Sequence, residues 1–390
     1  MIVKLKEISD KITKGTTPHK EAFKGVDVNF IKSESLNFDG NIDTSSFNSI
    51  DIETHNTKLK RSILNENDIL ISIAGANLGK IGIVSNEMLP ANTNQAVGII
   101  SIDSNLARSK YIYYYLQQLK IRKFINNSVA QSAQPNINLS QLGNLRISLP
   151  EINKQDKIIK VLDTISKKIR LNTHTNNNLY EIGKALYQEY FENEKYTKNY
   201  EIKQLSDVTT NNRNKIDQTK EYKVLSAVNT GNLVLSDDYF DKQVYSKDIG
   251  KYLNVNKNDF AYNPARINIG SIGLNNFDFN CCVSPVYVTF SVDKDYIDYF
   301  DFYFKSKRFN AEVTLRASGS VRQALNYNDF GMIEIPYPNK EMIDKFNSSY
   351  KTIKDRINKN KAKISNLEQI RDTLLPKLMN GEIDLDKIEI

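Results

Sequence analysis

Tryptophan is absent from this chain, cysteine and histidine are scarce, and no long apolar run occurs. The only two cysteines, Cys281 and Cys282, are neighbours, where a disulfide would be strained, so a disulfide-stapled scaffold is excluded. They stand in an apolar run that reads as a strand, which makes them expected core thiols. The three histidines, His19, His55 and His174, lie far apart. They show neither metal-ligand spacing nor a Ser-His-Asp arrangement. No stretch approaches the roughly 18 apolar residues of a membrane span, and the N-terminal segment has no apolar signal core. The expectation is a soluble, cytoplasmic protein with no membrane partner.

Motifs for catalysis are missing as well. Gly75-Ala-Asn-Leu-Gly79-Lys80-Ile81 has three residues between its glycines, and Ile81 stands where a phosphate loop needs Ser or Thr for Mg²⁺. It reads as a glycine turn between two strands, with Asn77 and Lys80 exposed at its tip. Asn263-Pro264-Ala265-Arg266 lacks the second proline and the aromatic residue of the amino-methyltransferase motif, and no Gly-x-Gly-x-x-Gly accompanies it. It reads as a turn that exposes Arg266. Glu201-Ile202-Lys203 has no fitting upstream aspartate for a nuclease centre. The chain is therefore expected to be non-catalytic and to hold no metal.

What is present is length, an excess of positive charge and a repeat. The chain has 390 residues, 40% of them hydrophobic, enough for two or three cores. Its net charge of +7 suits a polyanionic partner without proving one.

From Gln155 to Phe191, apolar residues recur on alternating steps of three and four, the mark of a heptad seam: Ile158, Leu162, Ile165, Ile169, Asn172, Asn176, Leu179, Gly183, Leu186 and Tyr190. The pattern returns as Phe346, Tyr350, Ile353, Ile357, Asn360, Ile364, Leu367, Arg371, Leu374 and Leu378, each 188 positions later, as Asn360 is after Asn172. A helix of this length spans about 55 Å, more than a small core needs. The two seams are expected to pack antiparallel as a spacer, with Asn172 and Asn360 close together and setting the register.

The globular parts repeat too. Residues 1–150 carry strand-like runs at Asp68–Ala74, Lys80–Val84, Ala96–Ile102 and Leu145–Pro150. A helix is expected over Ser109–Phe124, with Ile112, Tyr115, Leu116 and Leu119 on one face. Residues 200–338 follow the same order: Leu5-Lys-Glu-Ile-Ser-Asp10 returns as Ile202-Lys-Gln-Leu-Ser-Asp207, Gly79 and Gly82 return as Gly270 and Gly273, and Asn138 and Gly143 return as Asn326 and Gly331. The fold class is α+β with two similar β-rich domains, 1–150 and 197–338. Each precedes a helical spacer, at 151–196 and 339–390. Frame residues recur while loops diverge, which suggests one scaffold presenting two recognition surfaces.

This layout resembles the specificity subunit of type I restriction-modification systems. The resemblance rests on Gln134-Pro-Asn-Ile-Asn138, Leu142-Gly-Asn-Leu-Arg-Ile-Ser-Leu-Pro150, Gln155 and the helix after it. In the second half it rests on Ser318-Gly-Ser-Val-Arg-Gln323, Phe330-Gly-Met-Ile-Glu-Ile-Pro336 and Leu374-Leu-Pro-Lys-Leu-Met-Asn-Gly-Glu-Ile383. The second copy departs at one place, with Met342 and Ile343 near the position of Gln155. The resemblance implies two target-recognition domains that each read half of a split double-stranded DNA sequence. It also implies that the subunit performs no chemistry. It would recruit two modification subunits that methylate adenine, and through them restriction subunits; S-adenosylmethionine, ATP and Mg would bind those partners and no cofactor this chain. Alternatives from other classes are a fused methyltransferase or nuclease, and a coiled-coil adaptor that binds no DNA.

Base and phosphate readers are expected among Lys, Arg, amide and hydroxyl side chains on loops. In the first domain these are Lys14, Thr16, Thr17, Lys32, Lys58, Lys60, Arg61, Asn77, Lys80, Asn92, Asn94, Gln95, Gln131 and Gln134. In the second they are Asn211, Arg213, Lys215, Arg266, Asn268, Arg316, Ser320, Arg322 and Gln323. The two late loops, ending at Gln134 and Gln323, are the leading candidates because they match in place and differ in polar content. Tyr180, Lys184, Tyr187 and Phe191 on the first long helix, with Lys351, Lys354 and Lys361 on the second, are expected to offer outer faces to the modification subunits.

Overall fold

The short apolar runs form strands where their β-branched content and flanking turn residues place them. In the computed structural model, residues 1–127, 136–197, 200–240, 243–317, 324–383 and Leu385 are described. The chain divides into two compact units, Met1–Thr173 with Ala362–Ile390, and His174–Lys361. Each long helix contributes one part to each unit.

In the first unit an antiparallel sheet runs in the order Ser9–Lys14, Val97–Ile102, Ile69–Ser72, Ile81–Ile83. A smaller sheet has Val28–Ile31 at its centre, antiparallel to Asn48–Ile50 and parallel to Ala91–Thr93. Ile2–Lys4 pairs with Arg146–Ser148.

The helix expected over Ser109–Phe124 is two helices, Ser109–Leu116 and Leu119–Asn127. The break falls at Gln117 and Gln118, because the Gln118 side-chain amide donates to the Tyr115 carbonyl at 3.0 Å and so competes for the backbone groups of the last turn. Nor is there one apolar face: Tyr111 to Leu116 are all buried, as in a helix covered on all sides, whereas Leu119 is exposed.

The second unit repeats the larger sheet in the same order: Thr209–Asn211, Val288–Val292, Phe260–Tyr262, Ile272–Leu274. Its smaller sheet has four strands, Asn232–Leu235, Lys223–Val228, Cys281–Val283 and Leu253–Val255, with Cys281–Val283 parallel to Lys223–Val228. Both cysteines are free and buried; burial pushes the Cys281 thiol up to about 11 and Cys282 to about 12. The scaffold is conserved between the copies and the filling is not. Ile112, Leu116, Ile121 and Leu142 of the first core correspond to Phe300, Phe304, Phe309 and Phe330 of the second, all buried. All four changes enlarge the side chain, so the second core is built on aromatic contacts where the first is aliphatic.

The long helices are Ile152–Phe191 and Lys340–Met379. In the first unit, Ile158 and Leu162 near the start of one share a core with Leu375, Leu378 and Met379 near the end of the other. In the second unit, Tyr187 and Phe191 near the end of one share a core with Phe346 and Tyr350 near the start of the other. The helices are thus antiparallel, and each buried side chain of this size contributes about 1.5–3 kcal/mol. Ile165, Ile169 and Ile357 are buried; Leu179, Leu186, Ile353, Ile364, Leu367 and Leu374 are half-buried.

The expected register is corrected. Asn360 is buried and donates to Oδ1 of Asn176 at 3.0 Å, whereas Asn172 donates to the Lys168 carbonyl of its own helix at 2.8 Å. The edge-to-face contact of Phe191 with Phe346, centroids 5.0 Å apart, lies in the same register as Asn176 opposite Asn360.

Candidate nucleic-acid interface

A loop can present a side chain reproducibly only if its backbone is tied down, and both copies use the same ties. The Ile137 N–H donates to the Ile73 carbonyl at 3.0 Å in the first unit, and the Leu325 N–H to the Pro264 carbonyl at 3.1 Å in the second. Asn138 then caps a short helix by accepting the Gln141 N–H at 2.8 Å, and Asn326 accepts the Asp329 N–H at 3.1 Å. The leading candidates on the two late loops, Gln131, Gln134, Ser320, Arg322 and Gln323, lie outside the described residues.

In the first unit one group of candidates is brought together. Lys14 ends its strand opposite Gly98; the Gly15 N–H donates to the Val97 carbonyl and the Thr16 N–H to the Thr93 carbonyl, each at 3.0 Å. A Cβ on Gly15 would lie 2.1 Å from the Thr93 oxygen, so only glycine permits this approach. Arg61 donates from Nη2 to Thr16 Oγ1 at 3.2 Å, which joins the segment carrying the exposed Lys58, Lys60 and Arg61 to the early loop. Asn94 accepts the Ala96 N–H at 3.2 Å and turns the chain, leaving Gln95 exposed beside it. Lys14, Thr16, Thr17, Arg61, Asn94 and Gln95 thus share one surface, with Lys58 and Lys60 next in chain. Lys32 leaves the strand whose Ile31 pairs with Thr93, and its ammonium lies 5.6 Å from the Phe23 ring centroid.

Other expectations are corrected. Asn92 is fully buried: its Oδ1 meets His55 Nδ1 at 2.5 Å and its Nδ2 donates to the Leu59 carbonyl at 3.2 Å, so it fixes the loop from inside. Asn77 and Lys80 are half-buried, and the Lys80 ammonium lies over Phe38, 5.4 Å from its centroid.

In the second unit Asn211, Arg213 and Lys215 are exposed; the Asn212 N–H donates to the Thr289 carbonyl at 2.8 Å and Lys215 bridges to Leu253. Arg266 is exposed on the turn whose Pro264 carbonyl receives Leu325, so it stands at the exit of the late loop; Asn268 is half-buried. Arg316 is held by its own domain, donating to the Met332 carbonyl at 3.1 Å with Glu312 at 3.9 Å.

The expected docking faces also change. Tyr187 and Phe191 are buried in the second core and so form no outer face, and Tyr180 stacks on Phe302 at 5.7 Å. Lys184, Lys351 and Lys361 are exposed, while Lys354 holds Asp298 at 2.5 Å.

Sequence reasoning missed Gly15, although a glycine within a Lys/Thr-rich loop was the available signal. It also missed the role of Gln155, whose Oε1 accepts the Arg108 N–H and whose Nε2 donates to the Pro150 carbonyl, both at 2.9 Å. In the second copy Ile343 takes that place, fully buried, and the Tyr296 hydroxyl donates to the Pro338 carbonyl at 3.0 Å instead. Among the described residues there is no metal-ligand cluster, and no helix is long and apolar enough to cross a membrane.

Comparison with known proteins agrees with this arrangement. Residues 1–181 match the family model of the type I restriction modification DNA specificity domain. The chain is 24% identical over 345 residues to the type I restriction enzyme MjaIX specificity subunit of Methanocaldococcus jannaschii, covering 80% of this chain and 77% of that protein. It is 30% identical over 127 residues to the EcoBI specificity subunit of Escherichia coli, covering 33% of this chain and 26% of that one. The crystal structure of the S subunit of a type I restriction-modification system from M. genitalium shares the fold, with a TM-score of 0.55 at 15% identity over 97% of this chain and 95% of that one. Residues 1–181 thus carry a type I restriction modification DNA specificity domain, and the chain as a whole, with its duplicated α+β scaffold and antiparallel long helices, is similar to specificity subunits of type I restriction-modification systems.

Proposed function

We propose that the chain reads a split double-stranded DNA target, one half-site for each recognition domain, and recruits modification and restriction subunits that carry the chemistry. The observation that carries this reading is the duplication with divergence. The same ties, Ile137 to Ile73 and Leu325 to Pro264, hold loops whose polar residues differ, as two readers of different sequences would need. Lys14, Lys58, Lys60 and Arg61 would take phosphates, and Asn94 and Gln95 would face base edges. In the second domain Arg213, Lys215 and Arg266 would do the same work. A spacer of fixed length between two readers fixes the gap between half-sites. The chain itself would hold no cofactor; S-adenosylmethionine, ATP and Mg would be bound by two modification subunits and by restriction subunits in the cytoplasm.

The test is co-expression with a modification subunit encoded beside it, followed by mapping of methylated adenine across the host genome. One split motif with a fixed gap is expected. Replacing residues 1–150 by the matching domain of a relative should then change one half of the motif only. Methylation at a short continuous site, or none, would overturn the reading.

A further inference from the structure

Beside the broken helix, the first unit contains a cavity of about 270 Å³ to which DNA reading gives no role. Its walls include Phe38, Gln118, Arg122, Arg371, Leu375 and Pro376. Arg122 donates from Nη2 to the Phe38 carbonyl, its guanidinium lies 5.3 Å from the Phe38 ring centroid, and its Nε is buried without a partner. Arg371 gives Nε to Asp372 at 2.9 Å; its side chain is 15% exposed, and its terminal nitrogens make no bond among the described residues. Gln118 is 3% exposed. Its amide nitrogen is committed to the Tyr115 carbonyl, which fixes the orientation and leaves a buried Oε1 acceptor without a partner.

The wall therefore offers unpaired guanidinium donors, the buried amide nitrogen of Gln117 and one unpaired acceptor. Three carboxylates lie nearby, and burial holds one of them, Glu368, above the usual range. Asp39 already accepts the Asn41 N–H and side-chain amide at 2.9 and 2.7 Å, and Asp372 faces Arg371 Nε. Burial first, and then the charge of Arg371, weaken the hold of Arg122 on its proton, and the opposing pull of Asp372 and Asp39 does not cancel them. An apolar wall with a few convergent polar groups is the usual make-up of a small-ligand site, and this volume is close to the lower end of the range for such sites, about 300 Å³.

We propose that this cavity binds a small carboxylate that carries its own N–H donor and an apolar side chain, the chemistry of an N-acylated amino acid or of the last residue of a peptide. The carboxylate meets Arg122 Nε and the free nitrogens of Arg371, the arrangement guanidinium groups favour. The ligand N–H donates to Gln118 Oε1, and Phe38, Leu375 and Pro376 cover the side chain.

The experiment uses the full chain with N-acetyl-leucine, N-acetyl-leucinamide and a hexapeptide ending in leucine with a free carboxylate, followed by ligand-observed NMR and calorimetry. N-acetyl-leucine is expected to bind with a Kd of about 1 mM or tighter. The amide, which lacks the charge, should bind at least about tenfold more weakly. Arg371→Gln should weaken N-acetyl-leucine by a similar factor with an unchanged melting temperature, and Arg371→Lys should retain part of the affinity; the Lys variant serves alone if the Gln variant does not fold. A hexapeptide that binds at least as tightly as N-acetyl-leucine identifies a chain terminus as the source, and preference for N-acetyl-leucine identifies a free metabolite. No saturable binding, or equal binding of the acid and its amide, would overturn the proposal and leave a cavity that holds water.

Discussion

Asn360 donates from Nδ2 to Oδ1 of Asn176 at 3.0 Å, and its own Oδ1 is buried without a partner. One polar pair inside a helix seam costs stability and fixes register. Asn360→Leu is therefore expected to stabilise the protein by about 1 kcal/mol, because losing the unpaired oxygen and gaining apolar surface outweigh the loss of a donor to Asn176 Oδ1, which is only half-buried. The denaturation midpoint should rise while amide NMR signals of the helix pair multiply. A lower midpoint would mean that the bond itself stabilises the fold and that register is set elsewhere.

Gly183 faces the second helix, and a Cβ there would lie 2.6 Å from Cε2 of Tyr350 and 3.1 Å from Cζ of Phe302. Alanine gains about 1 kcal/mol of helix propensity over glycine. Overpacking a closed aromatic contact costs roughly 1–3 kcal/mol, and both rings are held by neighbours, Phe302 and Tyr350 at 5.3 Å and Phe346 and Tyr350 at 5.5 Å. The clash wins. Gly183→Ala should lower the thermal midpoint, a net loss of about 1 kcal/mol, and an unchanged or raised midpoint would show that the aromatic contact can open.

The repeat makes most of this architecture legible in the sequence. Strands around Ile69, Ile81 and Val97, and long helices with seams at Ile158 and Phe346, follow from local periodicity, which sequence carries directly. Partners across space were less legible. Heptad spacing placed Asn172 and Asn176 alike in the seam and could not choose between them, because the choice depends on which residue of the other helix lies opposite. Asn92 looked like a surface amide until His55 and the Leu59 carbonyl closed around it. Of the candidate DNA contacts, Lys14, Thr16, Arg61 and Gln95 proved to share a surface because backbone bonds through Gly15 draw two distant loops together, which residue type alone cannot reveal.

Gln155 and Tyr296 solve one problem in two ways, each supplying a donor to the proline carbonyl that precedes a long helix. Gln155→Ile, which copies the second half of the chain, removes the partners of both the Pro150 carbonyl and the Arg108 N–H. Leaving such groups unpaired at a buried site costs about 1–3 kcal/mol each, so a loss of about 2–4 kcal/mol in chemical denaturation is expected after the gain from the apolar side chain is allowed for. Adding Arg108→Tyr, which stands where Tyr296 stands in the other copy, should restore part of that loss. If the double variant is no better than the single one, the two junctions are not equivalent.

Asp68 is buried beneath the first sheet, accepting the Ser101 hydroxyl at 2.6 Å and the Asn65 N–H at 2.8 Å, yet desolvation outweighs those bonds and holds its carboxyl above the usual range. An acid whose folded value is raised binds its proton more tightly in the folded state. Its contribution to stability is therefore complete below the unfolded value of about 3.9 and is lost as pH rises through the folded value. Asp68→Asn keeps an acceptor for Asn65 and gains a donor for Ser101 without a charge to desolvate. The variant should be more stable than the parent at pH 7, and the difference should shrink as pH falls towards about 4 in parallel melts. A difference independent of pH would show that Asp68 does not titrate in this range.

Arg61 and Gln95 share the surface around Gly15 and should act on DNA in different ways. A guanidinium on a phosphate releases counterions, so in the assembled complex Arg61→Ala should weaken binding to target and non-target duplexes alike and reduce the slope of log affinity against log salt by about 0.9. Arg61 also donates to Thr16 Oγ1, so Thr16→Val separates the two contributions: it breaks that bond and leaves the charge, and should change the slope little. An amide on a base edge carries no counterion. Gln95→Ala should leave the salt slope unchanged, weaken the target by about 1–3 kcal/mol and relax specificity at one position of one half-site. Titrations at several salt concentrations against a panel of single-base variants measure all three. If Arg61→Ala leaves both affinity and slope intact, this surface faces solvent in the complex, and the reading of the first half-site moves to the loop that ends at Gln134.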